Sequence, residues 1–488
     1  MQGRGKGSIG TRLAGWFLLL LLLAWGGMAV WQTIKPLPED VGKAWPLRSA
    51  DEIQFLSDRT WYDAQGQRHL DQQIFDEVLN MIGQARRLIV MDMFLFNSLS
   101  GESPRVSRHL AEELSQALIQ ARREHPQLRV VVISDPLNTF YGGVMPEHFR
   151  ELRDAGVEVV FTELDRLRAS NPLWSGLWHL GLNRLGNDPD GGWLPNIFKG
   201  PDVTLRSYLA MLNFRANHRK TLVVDQQDAW VTLITSANPH DGSSRHGNVA
   251  LRIRGDLALD VMASEAAVAD WSGVDLELPQ QPPSASGEGP RTQLMTVQLL
   301  TEAAIRDASL ELIDAARSGD RLDMAAFYLA HRQVITALKE AEQRGAMVRV
   351  LLDPNREAFG FAKGGLPNQP VAAELHDAGV EVRWCLTAGE QCHSKVLHLA
   401  AQGGKDRLIL GSANMTRRNL DDYNLETSVL LSADASEPTM QQVDRWFEQR
   451  WQSSPQRRTS RRWQPTQRSG WFDSWRYRIM EATGLSTF

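Results

Sequence analysis

The chain carries one short chemical pattern twice. Asn217-His218-Arg219-Lys220-Thr221-Leu222-Val223-Val224-Asp225 is followed by Thr235-Ser236-Ala237-Asn238, and Cys392-His393-Ser394-Lys395 is followed by Gly411-Ser412-Ala413-Asn414. In each copy the His and Lys are two residues apart in a run rich in Leu and Val, so on a strand of period two they share one face. Such a face can hold phosphate. An imidazole supplies a nucleophile or a proton, an ammonium supplies charge, and Ser and Asn supply hydrogen bonds from the next strand. One HxK is ordinarily a half-exposed strand pair. Two copies, each followed within about twenty residues by Ser-Ala-Asn, define a candidate site.

The flanking sequence repeats too, and it indicates which elements carry these residues. The first half reads as a helix over Gln73–Gln84, a strand over Leu88–Leu95, a helix over Leu110–Arg122 and a strand over Leu128–Ser134 closed by Asp135-Pro136. In the second half, Ala303–Arg317 and Val334–Arg344 read as helices. Leu322–Leu329 and Val348–Leu352 read as strands, the latter closed by Asp353-Pro354. Leu152-Arg153-Asp154-Ala155-Gly156-Val157-Glu158-Val159 differs at a single position from Leu375-His376-Asp377-Ala378-Gly379-Val380-Glu381-Val382. In both, Asp-Ala-Gly ends a helix through a glycine cap and Val-Glu-Val opens the next strand. The fold class predicted is α/β, two units with mainly parallel or mixed central strands. The Pro-, Gly- and Ser-rich stretch Leu278–Pro290 reads as a flexible linker between them.

The halves differ in one large respect. Asp154 to His218 spans 64 residues and Asp377 to His393 only 16, so the first half carries a long insertion, at about 166–217. Within it Trp174, Leu177, Trp178 and Leu180 fall near helical spacing, an apolar face with Trp at its edge. It reads either as a lid packed on its own domain or as an element that dips into a membrane. In both cases it is a place for substrate selection.

Length and composition bound the remaining choices. At 488 residues the chain exceeds one ordinary core, and a net charge of −5 provides no whole-protein field for collecting nucleic acid, although a local basic cleft escapes that test. Arg12 to Trp31 contains no charge after Arg12 and is long enough to cross a bilayer. Arg4, Lys6 and Arg12 precede it, and Glu39 and Asp40 follow Lys35, which predicts a cytoplasmic N-terminus with the catalytic body outside the inner membrane. The rival reading is a cleaved signal peptide with Gly27 and Ala29 before the cut. The only cysteines, Cys385 and Cys392, either close a small loop beside His393 or remain free thiols. Neither their spacing nor any HExxH pattern indicates a metal site, and no cofactor is expected. Gly403-Gly404-Lys405-Asp406 reads as a turn and His398 as a structural strand residue. His240 and His246 lie near the first motif, in loop roles or at a headgroup. From Arg457 onward the chain interleaves seven Arg with Trp463, Trp471, Phe472, Trp475 and Tyr477, suiting an anionic bilayer, single-stranded nucleic acid or a solvated tail.

The duplicated motif resembles that of the phospholipase D superfamily, whose bilobal members carry two HxKxxxxD motifs with a downstream G-S-x-N. The resemblance covers most of the chain beyond the N-terminal segment. It implies two pseudo-symmetric lobes whose HxK faces meet at one phosphorus, with His218 as nucleophile through a phosphohistidine and His393 as acid, then base. It also implies Lys220, Lys395, Asn238 and Asn414 around the non-bridging oxygens, Ser236 and Ser412 at the rim, and Asp225 as the supporting motif carboxylate. No metal is needed for that charge problem. This sequence departs from the pattern: Ala400 stands at the second motif's Asp place and Thr235 at the Gly place of the first. Glu426, in Asn424-Leu425-Glu426, matches a carboxylate that orients a histidine, and the corresponding Asn248-Val249-Ala250 has none.

The domain reading is a cytoplasmic N-terminus at 1–11, an anchor at 12–31, a first lobe at 45–278, a linker at 279–292, a second lobe at 293–455 and a basic aromatic tail at 456–488. Three function classes follow. The first is a phospholipase or phosphatidyltransferase acting on membrane phospholipid, cardiolipin synthase-like. The others are an exported phosphodiesterase or nuclease, and a catalytically weakened scaffold for which Ala400 and Ala250 are the hints. The partner expected is the phospholipid membrane, with nucleic acid second.

Overall fold

The computed structural model describes residues 9–50, 52–99, 106–227, 229–277, 295–358, 361–362, 364–484 and 486. The linker and the basic residues Arg4 and Lys6 lie outside them. A single helix, α1 (Ile9–Ile34), precedes the body, and it is long and apolar enough to cross a membrane.

Two large sheets organise the rest. The first contains β1 (Glu52–Ser57), β2 (Leu88–Met93), β3 (Arg129–Ser134), β4 (Glu158–Phe161), β5 (Lys220–Gln226), β6 (Ala229–Thr235) and β7 (Val249–Arg254), in the order β1-β7-β6-β5-β2-β3-β4. The second contains β8 (Met295–Thr301), β9 (Arg321–Ala326), β10 (Met347–Leu352), β11 (Glu381–Cys385), β12 (Val396–Ala400), β13 (Asp406–Gly411) and β14 (Thr427–Ala433), in the order β8-β14-β13-β12-β9-β10-β11. In each sheet the three strands β2-β3-β4 or β9-β10-β11 run parallel, and every other pairing is antiparallel. The parallel strands need crossovers, and helices α2 (Ile74–Gln84), α3 (Leu110–Glu124) and α4 (Glu147–Asp154) accompany the first set. Helices α5 (Pro172–His179) and α6 (Leu205–Met211) fall in the insertion, and α7 (Leu257–Trp271) ends the first half. Helices α8 (Ala303–Asp314), α9 (Arg332–Gln343) and α10 (Asn368–Asp377) serve the second set, followed by α11 (Arg417–Leu420), α12 (Pro438–Gln452) and α13 (Trp471–Thr483).

One hydrophobic core runs through both halves. Val90, Val223, Trp230 and Leu251 of the first sheet join Val297, Leu410 and Val429 of the second, together with Val261 of α7 and Trp446 of α12. Each fully buried aliphatic side chain of this kind contributes about 1.5–3 kcal/mol. The outer face of each sheet has its own core beneath its helices. Within the junction Arg219 is fully buried, donating from Nη1 to Glu265 (3.2 Å) and from Nη2 to Glu302 (2.9 Å). A first-half guanidinium therefore answers a second-half carboxylate.

Several boundaries need correction. Residues 45–49 do not begin the first lobe: Arg48–Ser49 pairs antiparallel with β8 and the Trp45 N–H donates to Leu299, covering that edge of the second sheet. Nor does the second half stop at 455. Ser460–Arg462 pairs antiparallel with β11, Trp463 and Tyr477 are buried in the second-half core, and α13 packs against α10. A freely solvated tail is excluded for that stretch, although Trp471, Phe472 and Trp475 remain exposed. The strands expected to reach Leu95 and Leu329 end at Met93 and Ala326. Met93 faces Lys220, the first residue of β5, and just past that pair the Phe94 N–H donates to Arg219 O at 3.2 Å.

Candidate active site

Each HxK motif sits where its strand begins, and each leans on the other half. His218 lies two residues before the start of β5, and its N–H donates to Leu425 O at 2.9 Å; His393 lies just ahead of β12, and its N–H donates to Gly247 O at 2.8 Å. The two halves thus pair main chain to main chain at both motifs, Asn217 with Leu425 and Gly247 with Cys392.

The side chains continue the exchange. Glu426 of the second half holds His218 Nδ1 within 3.0 Å, and Asn248 of the first half holds His393 Nδ1 at 3.0 Å. With Nδ1–H donated, Nε2 of each ring is the nitrogen left for chemistry. Lys220 Nζ donates to His218 O at 2.6 Å, and Lys395 Nζ donates to His393 O at 2.7 Å. Phe94 packs on His218 (4.7 Å between rings) under Lys220, and Phe327 packs on His393 (5.0 Å) under Lys395. The histidines keep 7 % and 6 % of their surface exposed, which makes the pair buried yet reachable.

Electrostatics follow from that burial. Loss of hydration lowers His218 to about 4, and the Lys220 and Lys395 charges push the same way against Glu426. His393 falls well below 6.5, through burial first and then Lys395, His246, Lys220 and His218. Burial brings Lys220 down to about 7 and Lys395 well below its usual value. The two halves' histidines and lysines therefore act on one another as one cluster. An anion entering it would meet groups ready to become cations.

Sequence reasoning misplaced or missed several members. Glu426 and Asn248 are structural equivalents, because Ser412 N–H donates to Thr427 O and Ser236 N–H to Val249 O. The pairing of Glu426 with Ala250 is thus out by two residues, and Asn248 takes the orienting place. Ser236 and Ser412 are not at the rim: both are buried, Ser236 Oγ donating to Asn248 Oδ1 (3.1 Å) and Ser412 Oγ to Glu426 (2.5 Å). Asn238 and Asn414 each keep a small exposed area beside them. Asp225 is not brought to the cluster. It sits at the far end of β5, accepting from the N–H groups of Arg86, Arg87 and Leu88 and so fixing the entry to β2.

Asp135 and Asp353 were legible only as strand closers. Asp135 accepts the Asn217 N–H at 2.6 Å and Asp353 the Cys392 N–H at 2.7 Å, clamping both motifs, and burial raises each carboxyl to about 7. The repeated Asp-Pro was the available signal. Arg418 of α11 lies over Phe214 and close enough to Tyr141 and Tyr328 to act on both, with Nε and Nη2 unpartnered among the described residues. His246 accepts from Gln391 N–H and lies 5.9 Å from the His393 ring, whereas His240 is tied to Ser243. Cys385 and Cys392 are bridged, which joins the end of β11 to the second motif. Among the described residues one group offers metal-ligand atoms in proximity, Asp323, His398 and Asp444. Its Asp323 carboxylate is already taken by Arg349 and Arg321, and it lies outside the cluster.

Comparison with known proteins gives a family match over part of the chain. Residues 310–451 match the family model described as cardiolipin synthase, PLD-like domain. Phosphatidylserine synthase from Haemophilus influenzae superposes with TM-score 0.55 at 12 % identity, over 90 % of this chain and 96 % of that one, and so shares the fold. Polyphosphate kinase from Porphyromonas gingivalis gives TM-score 0.47 at 13 % identity, over 89 % of this chain; the chain spans about half, 54 %, of that protein. Nuc from Salmonella typhimurium, a phospholipase D family member, gives 0.27 at 20 % identity, over 34 % of this chain and 97 % of that one. No curated protein sequence matches the chain. The chain thus carries a phospholipase D-like domain in its second half, consistent with membership of the phospholipase D superfamily in general.

Proposed function

We propose that the chain is a membrane-held phosphodiesterase or phosphatidyltransferase of the phospholipase D type, acting on phospholipid through a cleft shared by two pseudo-symmetric lobes. The observation that carries this reading is the reciprocal hold on the histidines: each ring takes its orienting partner from the opposite half, so neither half is a complete site alone. The description of the domain over residues 310–451 supports a cardiolipin synthase-like transfer.

In this reading His218 Nε2 attacks the phosphodiester phosphorus in line. Glu426 accepts the Nδ1 proton's hydrogen bond and stabilises the cationic ring as the P–N bond forms. The P–O bond to the leaving alcohol breaks as His393 Nε2–H gives it a proton. His393, now neutral, takes a proton from water or an acceptor alcohol, whose oxygen displaces His218 and regenerates both rings. Lys220, Lys395, Asn238 and Asn414 carry the non-bridging oxygens as charge builds. Ser236 and Ser412 hold the orienting residues. A metal has no step to perform, so rigorously metal-free enzyme should keep its activity in EDTA.

The test is incubation of full-length protein with phosphatidylglycerol vesicles, with and without added primary alcohol, and separately with single-stranded DNA. Release of headgroup, and a new phosphatidyl-alcohol when alcohol is present, is the expected result. Both must vanish in His218→Ala and His393→Ala. Cleavage of DNA with no lipid product would replace the phospholipid reading with a nuclease.

A further inference from the structure

The insertion helix α5 is docked on α1 at a depth that matters if α1 spans a bilayer. The uncharged run Leu13–Trp31 has 19 residues, about 28 Å of helix at about 1.5 Å per residue, which matches a hydrocarbon core of about 30 Å. Thr11–Ala24 are exposed on every side, whereas Trp25, Met28, Ala29 and Gln32 form a stripe turned to the body. That stripe meets the insertion. Ala169 N–H donates to Gln32 O, Trp25 Nε1 donates to Leu173 O at 2.8 Å, and a Cβ placed on Gly176 would stand 2.9 Å from Ala29 N. The insertion therefore leaves the level of Gln32 near Ala169 and reaches that of Trp25 at Leu173. Those levels are about 10 Å apart along α1.

The surface of this excursion is built for lipid. Leu173 (60 %), Leu177 (44 %) and Leu180 (42 %) point outward. Its polar groups turn inward: Asn171 Nδ2 donates to Leu212 O, Trp174 Nε1 to Leu209 O and Ser175 Oγ to Asn213 Oδ1, all within 2.9 Å. Satisfied backbone and outward leucines are what hydrocarbon requires of a buried segment.

We infer that α5 dips into the half of a phospholipid bilayer nearest the body, with Leu173, Leu177 and Leu180 among the acyl chains beside α1. This seats the body on the surface that holds its substrate. The inference rests on α1 spanning the bilayer and not on the chemistry of the histidine cluster. A polarity-sensitive fluorophore placed at Leu20→Cys, Leu177→Cys or Met347→Cys of the full chain, reconstituted in phosphatidylethanolamine–phosphatidylglycerol vesicles, tests it. Lipids carrying a spin label on the acyl chain should quench the Leu20 and Leu177 probes several-fold and leave the exposed Met347 probe unaffected. A quenched Leu20 with an unquenched Leu177 overturns the dip, including the case in which a second copy of the chain covers α5. An unquenched Leu20 overturns the span and the dip together. In addition, Leu173→Glu with Leu177→Glu should lower turnover of vesicle phospholipid about tenfold and leave hydrolysis of soluble bis(4-nitrophenyl) phosphate unchanged. Equal loss on both substrates overturns a seating role. A wild-type chain inert on both removes the proposed chemistry while the probes still decide the depth.

Discussion

Glu426 and Asn248 occupy equivalent places at the heads of β14 and β7, and each reaches across the junction to the other half's histidine. A carboxylate therefore serves His218 and an amide serves His393. This asymmetry favours positive charge on the His218 ring, the ring that bonds phosphorus in the proposed reaction. Glu426→Gln should lower kcat about 10–100-fold and move the acid limb of its pH profile, with KM little changed. A KM effect alone would mean that Glu426 acts by packing. Asn248→Asp should raise the pKa of His393 and extend activity toward higher pH.

His393 is needed most when the leaving alcohol is a poor one. His393→Ala should lose about 10²–10⁴-fold against phospholipid yet still release one equivalent of 4-nitrophenol from an activated diester, leaving a phosphoenzyme trapped on His218. His218→Ala should give no such burst. A burst from His218→Ala instead would exchange the two roles.

Lys220 ties function to protons. Burial lowers it to about 7, so at about pH 8 most of it is the neutral amine. A bound phosphate dianion favours the ammonium and raises that pKa, so the bound state holds more protons and binding takes them up above pH about 7. Calorimetry of inorganic phosphate binding in two buffers of different ionisation enthalpy should show this uptake, and Lys220→Met should diminish it. Identical heats in both buffers would contradict it.

Asp225 is expected to matter for stability and not for chemistry. Its carboxylate gathers three main-chain N–H groups at the start of β2. Asp225→Ala should cost about 1.5–3 kcal/mol in denaturant unfolding while kcat and KM of the folded enzyme stay near wild type. A large fall in kcat with unchanged stability would return it to the reacting groups.

Much of the fold was readable because it rests on local regularities. The 3.6- and 2-residue periods placed α2, α3, β2, β3 and their second-half counterparts to within a few residues, and the near-identical runs at Leu152 and Leu375 announced the repeat. Errors gathered at the ends and at long range. Phe94 and Phe327 looked like strand residues because the apolar run continues through them. They stand just past the strand ends at Met93 and Ala326, with their rings against His218 and His393.

The types and spacing of His218, Lys220, His393 and Lys395 were set by the sequence, and with them the kind of chemistry open to this protein. The tertiary structure alone decided who holds whom. The contacts of His218 with Glu426, of Asn217 with Asp135 and of α1 with α5 join residues far apart in the chain. No local period encodes such a pairing. It exists only when two sheets bury one shared core and bring their strand ends together.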